Sequence, residues 1–161
     1  KYVPAVDKGI QEAALRGILA GFPMIDFGVQ CYDGSQHPVD SSEMAFKVAG
    51  SLAFKAAAAE CRPCLLEPMM KVDVHFPNEF MGDVSGDISH RRGRIQSMDA
   101  ENSEANIHAL VPESEMYGYS AQLRSMTQGM GHHEREFASY DEVPEHLADK
   151  LIAELKAAVE H

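Results

Sequence analysis

Apolar and polar positions along the chain switch repeatedly between a helical and a strand period. Over residues 4–17, Val6, Ile10, Ala13 or Ala14, and Gly17 recur on one side at helical spacing. Pro4 suits the first turn of that helix, and Gly21 and Pro23 end the segment. Over residues 24–32 the period becomes two: Ile25, Phe27, Val29 and Cys31 alternate with Asp26, Gly28 and Gln30, which predicts a half-buried strand. Asp33-Gly34 is a turn signal. Asp40-Ser41-Ser42-Glu43 then reads as a helix start, with Asp40 as N-cap and Glu43 three residues on, in the manner of a capping box. The helix should reach about Cys61. Its three apolar rows (Met44, Val48, Leu52; Ala45, Ala49, Ala53; Phe46, Gly50, Phe54) predict packing on more than one side. Gly50 costs about 1 kcal/mol relative to Ala inside a helix, so a close approach of another backbone is expected there.

Arg62-Pro63 stops this helix. Residues 64–76 read as one or two strands, interrupted near Pro68, which cannot donate to a sheet ladder; the boundary between two units is placed there, giving 1–69 and 70–161. The second half contains a weak repeat. Pro77 and Pro112, Met81 and Met116, and Ile88 and Leu123 share one offset in register, and each copy reads strand, proline, helix, glycine turn, strand. Two such βαβ halves make a split-βαβ, ferredoxin-like sandwich. Its strands fall near 70–76, 93–99, 105–111 and 132–140, and its helices near 78–91 and 113–127. A last helix over 145–159 carries Leu147, Leu151, Ile152 and Leu155.

Charge changes the picture by half. The net charge is −11 over 161 residues. Residues 1–75 carry seven basic and nine acidic side chains, and residues 76–161 seven and sixteen. That asymmetry supports two units and argues against generic nucleic-acid binding, which needs a basic field to displace counterions. Any RNA contact must come from a local patch. No run approaches the roughly 18 apolar residues of a membrane span, and no signal-peptide pattern occurs. Three cysteines, Cys31, Cys61 and Cys64, cannot form a disulfide framework and suggest a reducing cytosol. The first residue, Lys1 rather than Met, suggests a processed chain.

Several short stretches could carry chemistry. Cys61-Arg62-Pro63-Cys64 is a CxxC, but it follows a helix instead of opening one, and no second pair exists for zinc; an incidental role outweighs a redox or metal role. In His132-His133-Glu134-Arg135-Glu136, neighbouring side chains point to opposite strand faces, so a solvated edge strand outweighs a metal tract. Asp83 and Asp87 share a helix face and read as solvent-facing charge before an acid/base pair. His90-Arg91-Arg92-Gly93-Arg94 is the one dense basic cluster. It offsets a helix C-terminus, and its guanidinium forks equally suit phosphate. The glycine-rich turn at Arg124–Gly131 lacks the GKS/GKT ending of a P-loop, and no P-loop occurs in the chain, which alone should hydrolyse neither GTP nor ATP. His37 is a lone imidazole in a polar loop; taken by itself it reads as a surface histidine.

The stretches VPAVDKGIQEA, YDGSQHPVDSSEMAFKVAGSLAFK, LLEPMMKVDVHFPNEFMGDVSGDISHRRGRIQSMD, VPESEMYGYSAQLRSMTQG and SYDEVPEHL cover nearly the whole chain in order and resemble the C-terminal part of translation elongation factor G. The resemblance implies an α+β chain. Residues 1–69 would be a partial ribosomal-protein-S5-domain-2-like unit, the later part of the family's domain IV. Residues 70–161 would be its domain V, the ferredoxin-like sandwich with a C-terminal helix. It further implies a fragment of a translational GTPase without bond chemistry of its own. GTP and magnesium would sit in a domain upstream, and the location would be cytoplasmic. The ribosome is the implied partner: Ser35, Gln36 and His37 at the decoding centre with tRNA and mRNA, Arg91, Arg92 and Arg94 at large-subunit RNA near the stalk base, and Arg124 as a further RNA contact. Gln36 stands where the family usually has an aromatic and Pro38 where it commonly has an acid. Residues 133–136 replace mostly apolar ones. These departures imply, as the alternative, a paralogue or a stand-alone RNA- or protein-binding regulatory module without translocase activity. A domain cut after its first strands would expose a sheet edge, so strand-mediated self-association is expected.

Overall fold

Pro4 in the first turn and Gly17 past the last one bound the first helix, α1 (Val3–Arg16); Gly17 takes φ 67° and returns its N–H to the Ala13 and Ala14 carbonyls. The structure is a computed structural model that describes residues 1–159. Glu160 and His161, to which the sequence reading gives no role, lie outside the described residues. The chain divides into two units: Lys1–Leu65 together with the segment from Val143 onward, and Leu66–Glu142.

In the first unit α1 packs on α2 (Glu43–Glu60) through small residues. A Cβ on Gly50 would lie 2.7 Å from the Val6 carbonyl oxygen, and one on Gly9 would lie 2.0 Å from that of Lys47. The close approach expected at Gly50 is therefore present, with Gly9 as its counterpart on α1. Further along, Ala13, Ala14, Phe54 and Ala58 form a small core, flanked by Ile10, Ile18 and Met24. Lys47 bridges to Glu12 at 2.7 Å and holds that carboxyl below its ordinary range.

Three expectations for this unit are corrected. Residues 24–32 form no strand: the segment pairs with no strand among the described residues, and Ile25, Phe27 and Val29 are about half exposed, at 52%, 45% and 52%. Alternation makes a half-buried strand only where a neighbouring strand accepts the ladder. Asp26 also leaves the extended region, with φ 58°. Next, α2 is covered on one side only; Gly50, Phe54 and Ala58 are buried, whereas Met44, Val48 and Leu52 are exposed. Finally, the N-cap is Ser42, not Asp40: its hydroxyl accepts the Ala45 N–H at 3.0 Å. Residues 38–40 are taken up by a turn, so the helix starts two residues later than the capping-box reading placed it.

The second unit is the ferredoxin-like sandwich. Strands β1 (Leu66–Pro77), β2 (Arg94–Glu101), β3 (Glu104–Pro112) and β4 (His132–Glu142) pair antiparallel in the order β2-β3-β1-β4. The helices α3 (Met81–His90) and α4 (Tyr119–Met126) supply Val84, Ile88, Tyr119 and Leu123 to a core with Val72, Val74, Phe76, Ile107 and Val111. The repeat is visible in three dimensions. Pro77 and Pro112 each end a strand and open a short 3-10 turn, and Ile88 and Leu123 are both 1% exposed. The second copy departs at one point. The helix expected over 113–127 is split, because Gly118 adopts a left-handed φ of 71° between the turn at Glu113–Met116 and α4. Residues 64–76 hold one continuous strand, with Pro68 inside β1 opposite Tyr140 and a register shift next to it, between Met69 and Met70. The last helix, α5, spans Glu145–Val159. The chain is thus α+β, a partial S5-domain-2-like unit followed by a ferredoxin-like split βαβ.

Candidate functional site

The loop that carries His37 is built by its own backbone. The His37 N–H donates to the Ser41 hydroxyl at 2.8 Å, and the His37 carbonyl accepts the Ser41 N–H at 3.2 Å, closing a turn around Pro38, Val39 and Asp40. Asp33 accepts the Gly34 N–H at 2.8 Å and shapes the other limb. Tyr2 braces the base: its hydroxyl reaches the Ser41 carbonyl at 3.4 Å, and its ring stacks on Phe46 with centroids 4.4 Å apart. Ser35, Gln36 and His37 are all exposed, and no hydrogen bond engages the imidazole among the described residues. Both ring nitrogens are therefore open to an outside partner, one as donor and one as acceptor when the ring is neutral.

The arginine cluster at the end of α3 is arranged differently. Arg91 pairs with Asp87 at 2.9 Å, donates to the Glu115 and Tyr117 carbonyls, and lies 5.0 Å from the Tyr119 ring centroid. Arg92 grips Glu67 with both terminal nitrogens, at 2.8 Å each, and reaches Glu115 through Nε at 3.2 Å. The hydrogen bond to Glu67 raises the Arg92 pKa further, against a smaller opposing effect of burial. Arg94 pairs with Asp141 but keeps 62% of its side chain exposed. Arg91 and Arg92 thus tie α3 to β1 and to the turn before α4, and their forks are occupied within the unit. Arg94 and Arg124 are the exposed members of the expected set.

A groove of about 880 Å³ opens between α4 and β4, lined among others by Arg124, His133, Arg135, Tyr119 and Glu113. His133 meets the Tyr119 ring edge-on, with centroids 4.9 Å apart. Burial, and then the charges of Arg135 and His132, hold His133 below the usual imidazole pKa. Burial and the Asp87 charge push the Tyr119 phenol up, with Arg91 opposing. The Tyr119 hydroxyl is buried with no hydrogen-bond partner, a state that costs about 1–3 kcal/mol.

The sequence alone reads His133 and Arg135 as part of a solvated edge strand. β4 is an edge strand, and the two imidazoles do diverge: His132 stacks on His75 at 5.0 Å while His133 turns to Tyr119. What the strand pattern does not show is that one of its faces borders α4. Also unforeseen is a polar chain in which His108 binds Asn106, two residues back on β3, and Asp73, which only the β1–β3 register brings to it. Cys31, Cys61 and Cys64 are exposed, and no group of metal-ligating side chains converges among the described residues.

Comparison with known proteins places these features in a family. The descriptions that match are elongation factor G, domain IV, over residues 1–62, and elongation factor G C-terminus, over residues 64–151. The chain belongs to the elongation factor G family. The His37 loop accordingly lies in the domain IV match, and the arginine cluster and the α4–β4 groove lie in the elongation factor G C-terminal match. A crystal structure of a protein from Thermus thermophilus is similar at 46% identity, with a TM-score of 0.82 over 97% of this chain. The chain spans about a quarter of that protein, 24% of its length. No helix among the described residues is long and apolar enough to cross a membrane.

Proposed function

We propose that the chain is the ribosome-contacting part of a cytoplasmic, elongation-factor-G-like translational GTPase that promotes movement of tRNA and mRNA. The observation that carries this reading is the His37 loop: exposed, closed by its own hydrogen bonds, braced by Tyr2, and ending in an imidazole with no internal partner among the described residues. Such a loop can enter an RNA site without first paying to order itself. Ser35, Gln36 and His37 meet the decoding centre, where imidazole nitrogens bind sugar or phosphate oxygens. Arg94 and Arg124 meet large-subunit RNA near the stalk base. Arg91 and Arg92 hold the turn that presents this surface and contact RNA only through whatever donors their carboxylates leave free. GTP and magnesium belong to another part of the parent, since these residues carry no P-loop; the chain supplies shape and contacts while bond chemistry happens elsewhere.

Chemical footprinting of ribosomes with the full-length protein tests the assignment. Protection is expected in decoding-centre RNA and near the stalk base, and His37→Ala should weaken only the former. Protection at neither place would overturn it. A second reading, a paralogue that binds RNA or protein without translocating, is favoured by Gln36 and Pro38 at the tip and by the charged face of β4. It predicts footprints with no acceleration of tRNA–mRNA movement.

A further inference from the structure

We propose that the groove between α4 and β4 is a phosphate-binding site, with Arg124 and Arg135 as its cationic arms and His133 beside them. Three observations converge on it. Both arginines line the same groove, and neither has a carboxylate partner among the described residues, whereas Arg91, Arg92 and Arg94 each do. Tyr119, 1% exposed, lines the groove and meets the His133 ring edge-on, which holds that imidazole at the groove wall. The start of α4 also lines the groove, and its N-cap, Gly118, offers no side-chain cap, so first-turn N–H groups stay open. Glu113 is the one carboxylate on the lining. Two guanidinium forks against one carboxylate favour an anion that both forks can grip, and a tetrahedral phosphate has the oxygens to do so.

A free phosphate and a phosphodiester of an RNA backbone share this chemistry. The site itself stands on the groove alone; only the RNA source rests on the ribosome reading above. The first arm of the test titrates this chain with inorganic phosphate at constant ionic strength and follows the ring resonances of His133 and Tyr119. Saturable shifts are expected. They should weaken at least tenfold in the double variant Arg124→Gln/Arg135→Met, and persist in Lys150→Gln, which removes an exposed charge on α5 outside the groove and guards against a general loss of charge. Absence of saturable shifts, or shifts that survive in the double variant, would overturn the proposal.

The second arm measures binding of a labelled RNA hairpin against salt. If the double variant lowers the salt slope by roughly 0.7 per lost phosphate contact, the RNA backbone is the source. If RNA binding is unchanged while the phosphate shifts are lost, the site stands with free phosphate as its ligand.

Discussion

Gly50 lies where α2 runs closest to α1, and its missing side chain is what lets the two backbones meet. Gly50→Ala would gain about 1 kcal/mol of helix propensity, but it places a Cβ 2.7 Å from the Val6 carbonyl oxygen and 3.0 Å from its Cα. Backbone cannot give way as a side-chain tip can, so we expect a net loss of about 1–2 kcal/mol by denaturant unfolding; a gain would contradict the close packing. Arg92→Met should cost about 2–3 kcal/mol, because it strips charge-assisted bonds from Glu67 and Glu115; a loss under about 0.5 kcal/mol, by the same assay, would mark the pairs as ornamental. For His133 the sign follows from burial. Its folded pKa is lowered, so between that value and the unfolded value near 6.5 the unfolded chain binds more protons. Stability contributed by the neutral ring is complete above about pH 6.5 and is lost as pH falls through the lowered value. His133→Phe should flatten that part of the stability–pH curve, and an unchanged slope would count against it. Gly50 was legible because a helix-interior glycine is costly enough to need a reason. The engagement of Arg91 and Arg92 was not, since Glu67 and Glu115 lie 25 and 23 residues from Arg92 and converge only in the fold.

Elements whose period found a partner inside the chain were mostly readable, whereas two stretches whose period found none were misread. The repeat that pairs Pro77 with Pro112 encodes two βαβ halves, and the sheet closes on itself through β1–β3 pairing, so local pattern and tertiary structure agree. The alternation over 24–32 and the apolar row Met44, Val48 and Leu52 carry equally clear periods, yet both stay exposed. Period reports which face wants burial and is silent on what will cover it. Exposed apolar rows of this kind recruit other chains. We expect concentration-dependent self-association of this chain in sedimentation experiments, reduced by the double substitution Ile25→Lys/Val29→Lys. A chain that remains monomeric at every concentration would contradict this.

At the scale of the whole molecule, a net charge of −11 means that affinity for RNA cannot come from a general field. On the function proposed, it is concentrated at small places where cations or donors face outward without an internal partner among the described residues. His37 meets that condition in the domain IV match, and Arg124 with Arg135 meets it in the C-terminal match. The proposed role is to position tRNA and mRNA, with bond chemistry in another part of the parent protein. Pre-steady-state kinetics of the full-length protein carrying His37→Ala tests it most directly, with tRNA–mRNA movement and GTP hydrolysis followed side by side. The account predicts movement slowed by about tenfold, roughly the worth of one charge-assisted hydrogen bond, with GTP hydrolysis near the wild-type rate. Movement at the wild-type rate, or a parallel fall in both, would contradict it.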